Sequence, residues 1–213
     1  MSRLPFVTRR PLAFRHRSVT IPYMKAQFRF HNHIVAAIFP LVLSLFAAQS
    51  GFAQDAGKLD DLYNRLKDAD EGAALRIEGE IFTESGKSGS ATIDILMRRG
   101  SEALEAGKSA AAIEHLTAAV DHAPDFIEAR ATRAVAYYSD GEIGPAIADL
   151  GWVLEHEPRH FVAWSILGTI LEESNMPERA LAAYRSAAAI HPHIPEVKDA
   201  IGRLEKQLEG QAL

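Results

Sequence analysis

A chain of 213 residues with 47% hydrophobic and 24% charged content has the make-up of a globular protein, which excludes wholesale disorder. It has no cysteine, so disulfides, thiolate metal sites, a cysteine nucleophile and a lipidated cysteine are excluded. Residues 1–53 hold seven of the 23 basic residues and no acid, leaving residues 54–213 with 16 basic against 28 acidic residues; that formal net charge of −12 argues against nucleic-acid backbones or anionic lipid as main partner.

The chain opens on an address. Ile34 to Ala48 is an apolar run of 15 residues, preceded by Lys25 and Arg29 and followed by Gly51-Phe52-Ala53. Those small residues suit the −3 and −1 positions of a signal-peptidase cut, so residues 1–53 are expected to be a cleavable secretory signal. The run falls short of the ~20 residues of a membrane span, which leaves an uncleaved anchor as the alternative. Counted from Met1 the polar leader is long; counted from Met24 it is short. Residues 1–23 are then either a start-site extension or part of a long leader.

Residues 54–90 read as a degenerate helical pair and a linker. Leu59, Leu62, Tyr63 and Leu66 recur at helical spacing, as do Leu75, Ile77, Ile81 and Phe82 between Ala73 and Thr83. The pair is expected to cap the N-terminal end of a helical array. In the linker, Gly86-Lys87-Ser88 matches the end of a phosphate-binding loop, but Ile81 stands where that loop needs glycine, and no strand precedes it. A polar connector is the better reading.

From residue 91 to 194 the chain repeats itself. Pro124, Pro158 and Pro192 are spaced 34 residues apart and set a frame in which copies begin at Ile93, Ile127 and Phe161. Position 8 is then Gly100, Ala134 and Gly168; position 20 is Ala112, Ala146 and Ala180; position 24 is Leu116, Leu150 and Tyr184. Small residues at 8 and 20 let two antiparallel helices approach closely, and a larger side chain there would overpack the contact. Position 15 is Gly107, Gly141 and Asn175, the residues that most cheaply adopt the left-handed conformation ending a helix. Pro145 and Pro177 suit the first turn of each following helix. Proline at position 32 ends the second helix and turns the chain into the next copy.

These columns resemble the tetratricopeptide-repeat (TPR) family over residues 93–194, and the layout resembles small exported alphaproteobacterial members of unassigned role. The resemblance implies an all-α solenoid of three repeats. Arg99 and Arg133 depart from it at position 7, usually leucine, and Arg130 at position 4, usually a large apolar residue. The second repeat is therefore expected to be the loosest. Residues 195–213 complete the array as a capping helix and tail, with Val197, Ile201, Leu204 and Leu208 on one face and an end near Gly210.

The resemblance also implies a binding surface. In the family the first helices of successive repeats line a concave groove through positions 2, 5, 9, 12 and 13. Here these positions include Met97, Ser101, Leu104, Ala131, Val135, Tyr138, Ser165 and Thr169, rimmed by Asp94, Glu105, Glu128, Glu172 and Glu173. The Lys/Asn/Arg clamp with which one subset of the family holds a C-terminal carboxylate is absent from these positions. A mildly apolar floor with an acidic rim suits an amphipathic helix with basic flanks. The groove is expected either to be open or to be filled by the chain's own N-terminal helices.

No chemistry competes with this reading. The six histidines beyond residue 54 lie at inter-repeat turns and on helix faces with no spacing that converges three ligands, so no metal site is expected. There is no nucleophile elbow and no zinc-protease motif. The chain is expected to be a non-enzymatic periplasmic module or scaffold, without cofactor or nucleic-acid partner, that meets the membrane only through its export signal and binds another protein or peptide. The alternative is a chaperone-like accessory factor in envelope assembly.

Overall fold

The structure, a computed structural model, describes residues 57–211. The expected signal and both start-site readings lie outside the described residues. Among the described residues there are nine helices and no strand: α1 (residues 57–68), α2 (Glu71–Ser85), α3 (Ala91–Glu105), α4 (Ser109–His122), α5 (Ile127–Ser139), α6 (Ile143–His156), α7 (Phe161–Glu173), α8 (Pro177–Ile190) and α9 (Pro195–Gln211).

The repeats are the pairs α3/α4, α5/α6 and α7/α8, each packed against the next. Their first helices end where the turn chemistry requires. Gly107, Gly141 and Asn175 have φ of 66°, 81° and 56°, the left-handed region that carries the chain into the following helix. The three prolines of position 32 lie in the turns after His122, His156 and Ile190.

The small columns are points of contact. Gly100, Ala134 and Gly168 are all buried. A Cβ built on Gly100 would lie 2.6 Å from Leu116 Cγ, and one on Gly168 would lie 2.7 Å from the Tyr184 ring. In the first and third repeats the side chain at position 24 thus occupies the space that a Cβ at position 8 would need. Between repeats, the short side chains of Ala129 and Ala136 on α5 meet Ala119 and Leu116 on α4. Ala163 and Ile170 on α7 meet the core of α5 and α6 around Leu150 and Val153. α9 continues the frame, with Pro195 34 residues after Phe161 and Gly202 34 after Gly168. It seals the last repeat with Val197, Ala200 and Leu204.

The N-terminal helices form a hairpin as expected, but its position differs from an end cap. Leu62, Tyr63 and Leu66 of α1 and Ala74, Ile77 and Ile81 of α2 share one core with Phe161, flanked by Val162, Ile190 and Ile194. The hairpin therefore lies across the inter-repeat turns, against the third repeat. It covers the apolar turn residues of later repeats, and the α3 face with Ile95, Arg98, Arg99 and Glu102 is left exposed.

Polar contacts pin it. Arg159 reaches Asp60 at 2.7 Å and lies 4.7 Å over the Tyr63 ring. His193 Nε2 donates to the Ala69 carbonyl at 2.9 Å. His191, 2% exposed, faces Glu78 at 3.4 Å and stands edge-on to Phe161. Glu84, buried at the far end of α2, accepts from both Lys58 and Lys87.

The second repeat is not left unsupported by its arginines. Arg133 makes two hydrogen bonds to Asp149, and Arg130 lies 4.2 Å over the Trp152 ring. His156 stacks on the same indole at 3.7 Å and donates through Nδ1 to the Trp152 carbonyl. The acid that answers Arg133 is particular to this repeat: Asp149 stands where the third repeat has Ala183.

Candidate functional site

α3 touches α5, and α5 touches α7, so the first helices of the repeats line the inner side of the curve. This is the surface that the groove positions were expected to form. The structure divides it.

Toward the N-terminal ends of α5 and α7 the surface is roofed by the hairpin. Phe161 and Val162 pack into its core. A cavity of about 240 Å³ remains between Leu59, Tyr63, Phe126, Glu128 and His160. His160 caps α7, its Nδ1 accepting from the Ala163 N–H at 3.0 Å; the ring proton is thereby assigned to Nε2, 3.7 Å from Glu128. Burial alone would raise the Glu128 carboxyl, but the favourable interaction with His160 outweighs it and holds the group below its ordinary value. The groove is thus partly self-covered.

Toward the C-terminal ends of the same helices it is open. An open depression of about 550 Å³ is lined by Thr169, Glu172, Glu173, Tyr184, Glu196, Asp199, Ala200 and Arg203. Its walls are cross-braced. Tyr138 donates to Glu173 at 2.8 Å, joining α5 to α7. Arg203 donates to both oxygens of Glu172 at 2.8–3.1 Å, joining α9 to α7. The Tyr184 hydroxyl lies 3.0 Å from Thr169 Oγ1 and donates to Glu172 at 3.3 Å. Burial and the carboxylate of Glu173 push the Tyr138 phenol up to about 12, and burial with the charge of Glu172 raises Tyr184, so both act as hydrogen-bond donors at neutral pH. Four carboxylates face one guanidinium, and the depression carries net negative charge.

The candidate residues fare unequally. Tyr138 and Thr169 take part in the bracing around this opening. Ser165 turns its hydroxyl back to the Phe161 carbonyl at 2.8 Å. Met97 and Leu104 pack into the core of the first repeat, half-buried. Ala131 is buried against α6 and α7. Ser101 and Val135 are half-buried on the inner surface. Glu196, Asp199 and Arg203 lie outside the expected groove positions, since α9 is expected as a cap, yet they line the same depression. The signal was available: position 8 recurs at Gly202, which places Glu196, Asp199 and Arg203 at positions 2, 5 and 9.

Comparison with known proteins agrees with this architecture. A tetratricopeptide-repeat family model matches residues 97–149 and 132–193. A TPR repeat-containing protein of Rhizobium etli is 33% identical over 154 residues, covering 72% of this chain and 76% of that one. The chain belongs to the tetratricopeptide-repeat family. Solved TPR structures share the fold. The Sgt2 TPR domain from Aspergillus fumigatus superposes with a TM-score of 0.54 at 22% identity, covering 58% of this chain and 83% of that one. The first TPR of Spaghetti (RPAP3), bound to the HSP90 peptide SRMEEVD, gives 0.54 at 21%, covering 56% and 95%. Among the described residues of this TPR protein, no helix is long and apolar enough to cross a membrane.

Proposed function

We propose that this TPR protein is a non-enzymatic interaction module of the bacterial periplasm, and that its open groove end between α7 and α9 holds a peptide or helix with basic side chains. The observation that carries the reading is the braced, net-negative depression beside Tyr138 and Thr169. Cross-bracing keeps the walls in place before a ligand arrives, which lowers the ordering cost of binding. Lysine or arginine side chains would pair with Glu173, Glu196 and Asp199, which line the depression. Peptide capture by the RPAP3 repeat domain supports the choice of ligand class, and the SRMEEVD peptide it holds is acidic, so the charge preference proposed for this chain is opposite. Export rests on the N-terminal pattern of basic residues, apolar run and small residues.

The test is site-specific photocrosslinking in intact cells, with the reactive group at Thr169 or Tyr138 and a control at exposed Ile147 on α6. Adducts are expected from the groove positions and none from Ile147. Equal labelling from both faces would refute the proposal. One stoichiometric adduct points to a scaffold; many faint ones point to a chaperone-like factor.

A further inference from the structure

The cavity beneath the hairpin holds polar groups whose bonding is unmet. Its walls come from separate segments: Leu59 and Tyr63 on α1, Ser85 at the end of α2, and Phe126, Glu128 and His160 at the turns into α5 and α7. Ser85 Oγ is the one fully buried side-chain polar atom without a hydrogen-bond partner among the described residues. Such an atom is costly and uncommon in a native fold. The hydroxyl helps to hold the Glu128 carboxyl below its ordinary value, yet no hydrogen bond closes between the two. Glu128 is itself poorly answered. Its side chain is 20% exposed, and His160 Nε2 stands 3.7 Å away, beyond hydrogen-bond reach. The neighbouring carboxylates differ. Glu84 is held by Lys58 and Lys87, and Glu157 by Arg159. Among the described residues no lysine or arginine is paired with Glu128. A carboxylate drawn out of water without a cation carries a desolvation cost that a bound cation would offset.

Around these groups the walls are apolar, with Leu59, Phe126, Ile127 and the Tyr63 ring. A volume of about 240 Å³, at about 30 Å³ for each water-sized group, has room for about eight non-hydrogen atoms. We infer that this cavity binds a small free primary amine. Its ammonium donates to the Glu128 carboxylate and to Ser85 Oγ, and its alkyl chain lies against Leu59, Phe126 and Ile127. An anion would face Asp125, Glu128 and Glu157. Water alone would supply hydrogen bonds but no counter-charge. Because the walls belong to both hairpin and repeats, the amine binds only while the hairpin is docked, and so strengthens that docking. The cavity shares no lining residue with the open depression, so this site stands apart from the peptide site proposed there.

The experiment is calorimetric titration of the purified full chain with n-hexylamine, n-hexanol and hexanoate at neutral pH. Hexylamine is expected to bind with a Kd below about 1 mM, and the other two at least about ten-fold more weakly. Glu128→Gln should weaken hexylamine binding about ten-fold, and Ser85→Ala about three-fold. Far-ultraviolet spectra check that both variants are folded. Hexylamine should also protect the linker at residues 86–90 from limited proteolysis in proportion to its occupancy, and less so in either variant. N-acetyl-lysine methylamide carries the same ammonium on a backbone too large for the cavity, and should bind at least about ten-fold more weakly than hexylamine. Equal binding would make a partner's lysine side chain the occupant and overturn the assignment to a free amine. No hexylamine binding at about 5 mM overturns the inference, as does hexanol or hexanoate bound as tightly, or both variants binding as wild type does. So does hexylamine binding that is lost in Asp199→Lys and kept in Glu128→Gln, which would place the amine in the open depression.

Discussion

Arg133 and Asp149 sit side by side inside the second repeat, joined by hydrogen bonds of 2.7 and 2.9 Å, with their side chains 12% and 7% exposed. The arginine departs from the apolar residue usual at its position, and the acid on the partner helix answers it. The hydrogen bond and charge of Asp149 raise the Arg133 pKa further, so the guanidinium keeps its charge throughout the working range. The third repeat solves the same contact with Leu167 and Ala183.

Breaking this pair should be costly. Asp149→Ala leaves a largely buried guanidinium without its partner and should cost about 3 kcal/mol. The double substitution Arg133→Leu with Asp149→Ala copies the third repeat and should recover most of that loss. Urea denaturation of wild type and both variants checks it; a double variant no better than Asp149→Ala would contradict the compensation.

Position 8 offers a matched pair. Gly168→Leu drives a side chain into the Tyr184 ring and should cost about 1–3 kcal/mol. Gly202 occupies the same column in α9, but a Cβ there meets nothing within 4 Å. Gly202→Ala should therefore stabilise by up to about 1 kcal/mol through helix propensity alone. Thermal melts that move both variants in the same direction would contradict the assignment of position 8 as a contact only where a second helix follows.

The hairpin should loosen in acid. Hydrogen bonds from Lys58, then Lys87, hold the Glu84 carboxyl below its usual range, and Glu128 is depressed beside His160. A carboxyl whose folded pKa is depressed contributes stability above its unfolded value, about 4.3, and loses it as pH falls through the folded value. Melting temperature should therefore drop as pH falls below about 4.5, and Glu84→Gln should flatten that dependence. Melts recorded across this range, with the variant as steep as wild type, would remove Glu84 from the account.

Phe161 is the solenoid's main apolar contribution to the hairpin core, 3% exposed and shared between Phe82 and His191. Phe161→Ala should cost about 3–5 kcal/mol, as for other buried aromatic truncations. It should also release α1 and α2 to proteolysis at the linker before the repeats unfold. Simultaneous digestion of hairpin and repeats would show that the two are one cooperative unit.

Partner binding, if it uses the acidic groove end, should weaken with salt. Glu173→Lys or Asp199→Lys should reduce affinity for a basic peptide about ten-fold while leaving the melting temperature nearly unchanged, since Asp199 is exposed and Glu173 bonds only Tyr138 among the described residues. Calorimetric titration at two ionic strengths reads both effects.

Much of this molecule was determined locally by its sequence. The 34-residue spacing, the left-handed residues Gly107, Gly141 and Asn175, and the small column at Gly100, Ala134 and Gly168 each act within one helix pair, so periodicity and turn chemistry suffice to place them. Tyr138 and Thr169 stand at positions that the family resemblance, not the periodicity, implies for a groove, and both lie beside the open depression. Amphipathic spacing also showed that α1 and α2 bury a face, but it is silent on what the face is buried against. That was decided by contacts between residues about a hundred positions apart, such as Glu78 with His191, which depend on which surfaces the repeats leave apolar and uncovered. The pairing of Arg133 with Asp149 and the inclusion of α9 in the groove are of the same kind: each arises where two helices meet, and only the assembled stack brings them together.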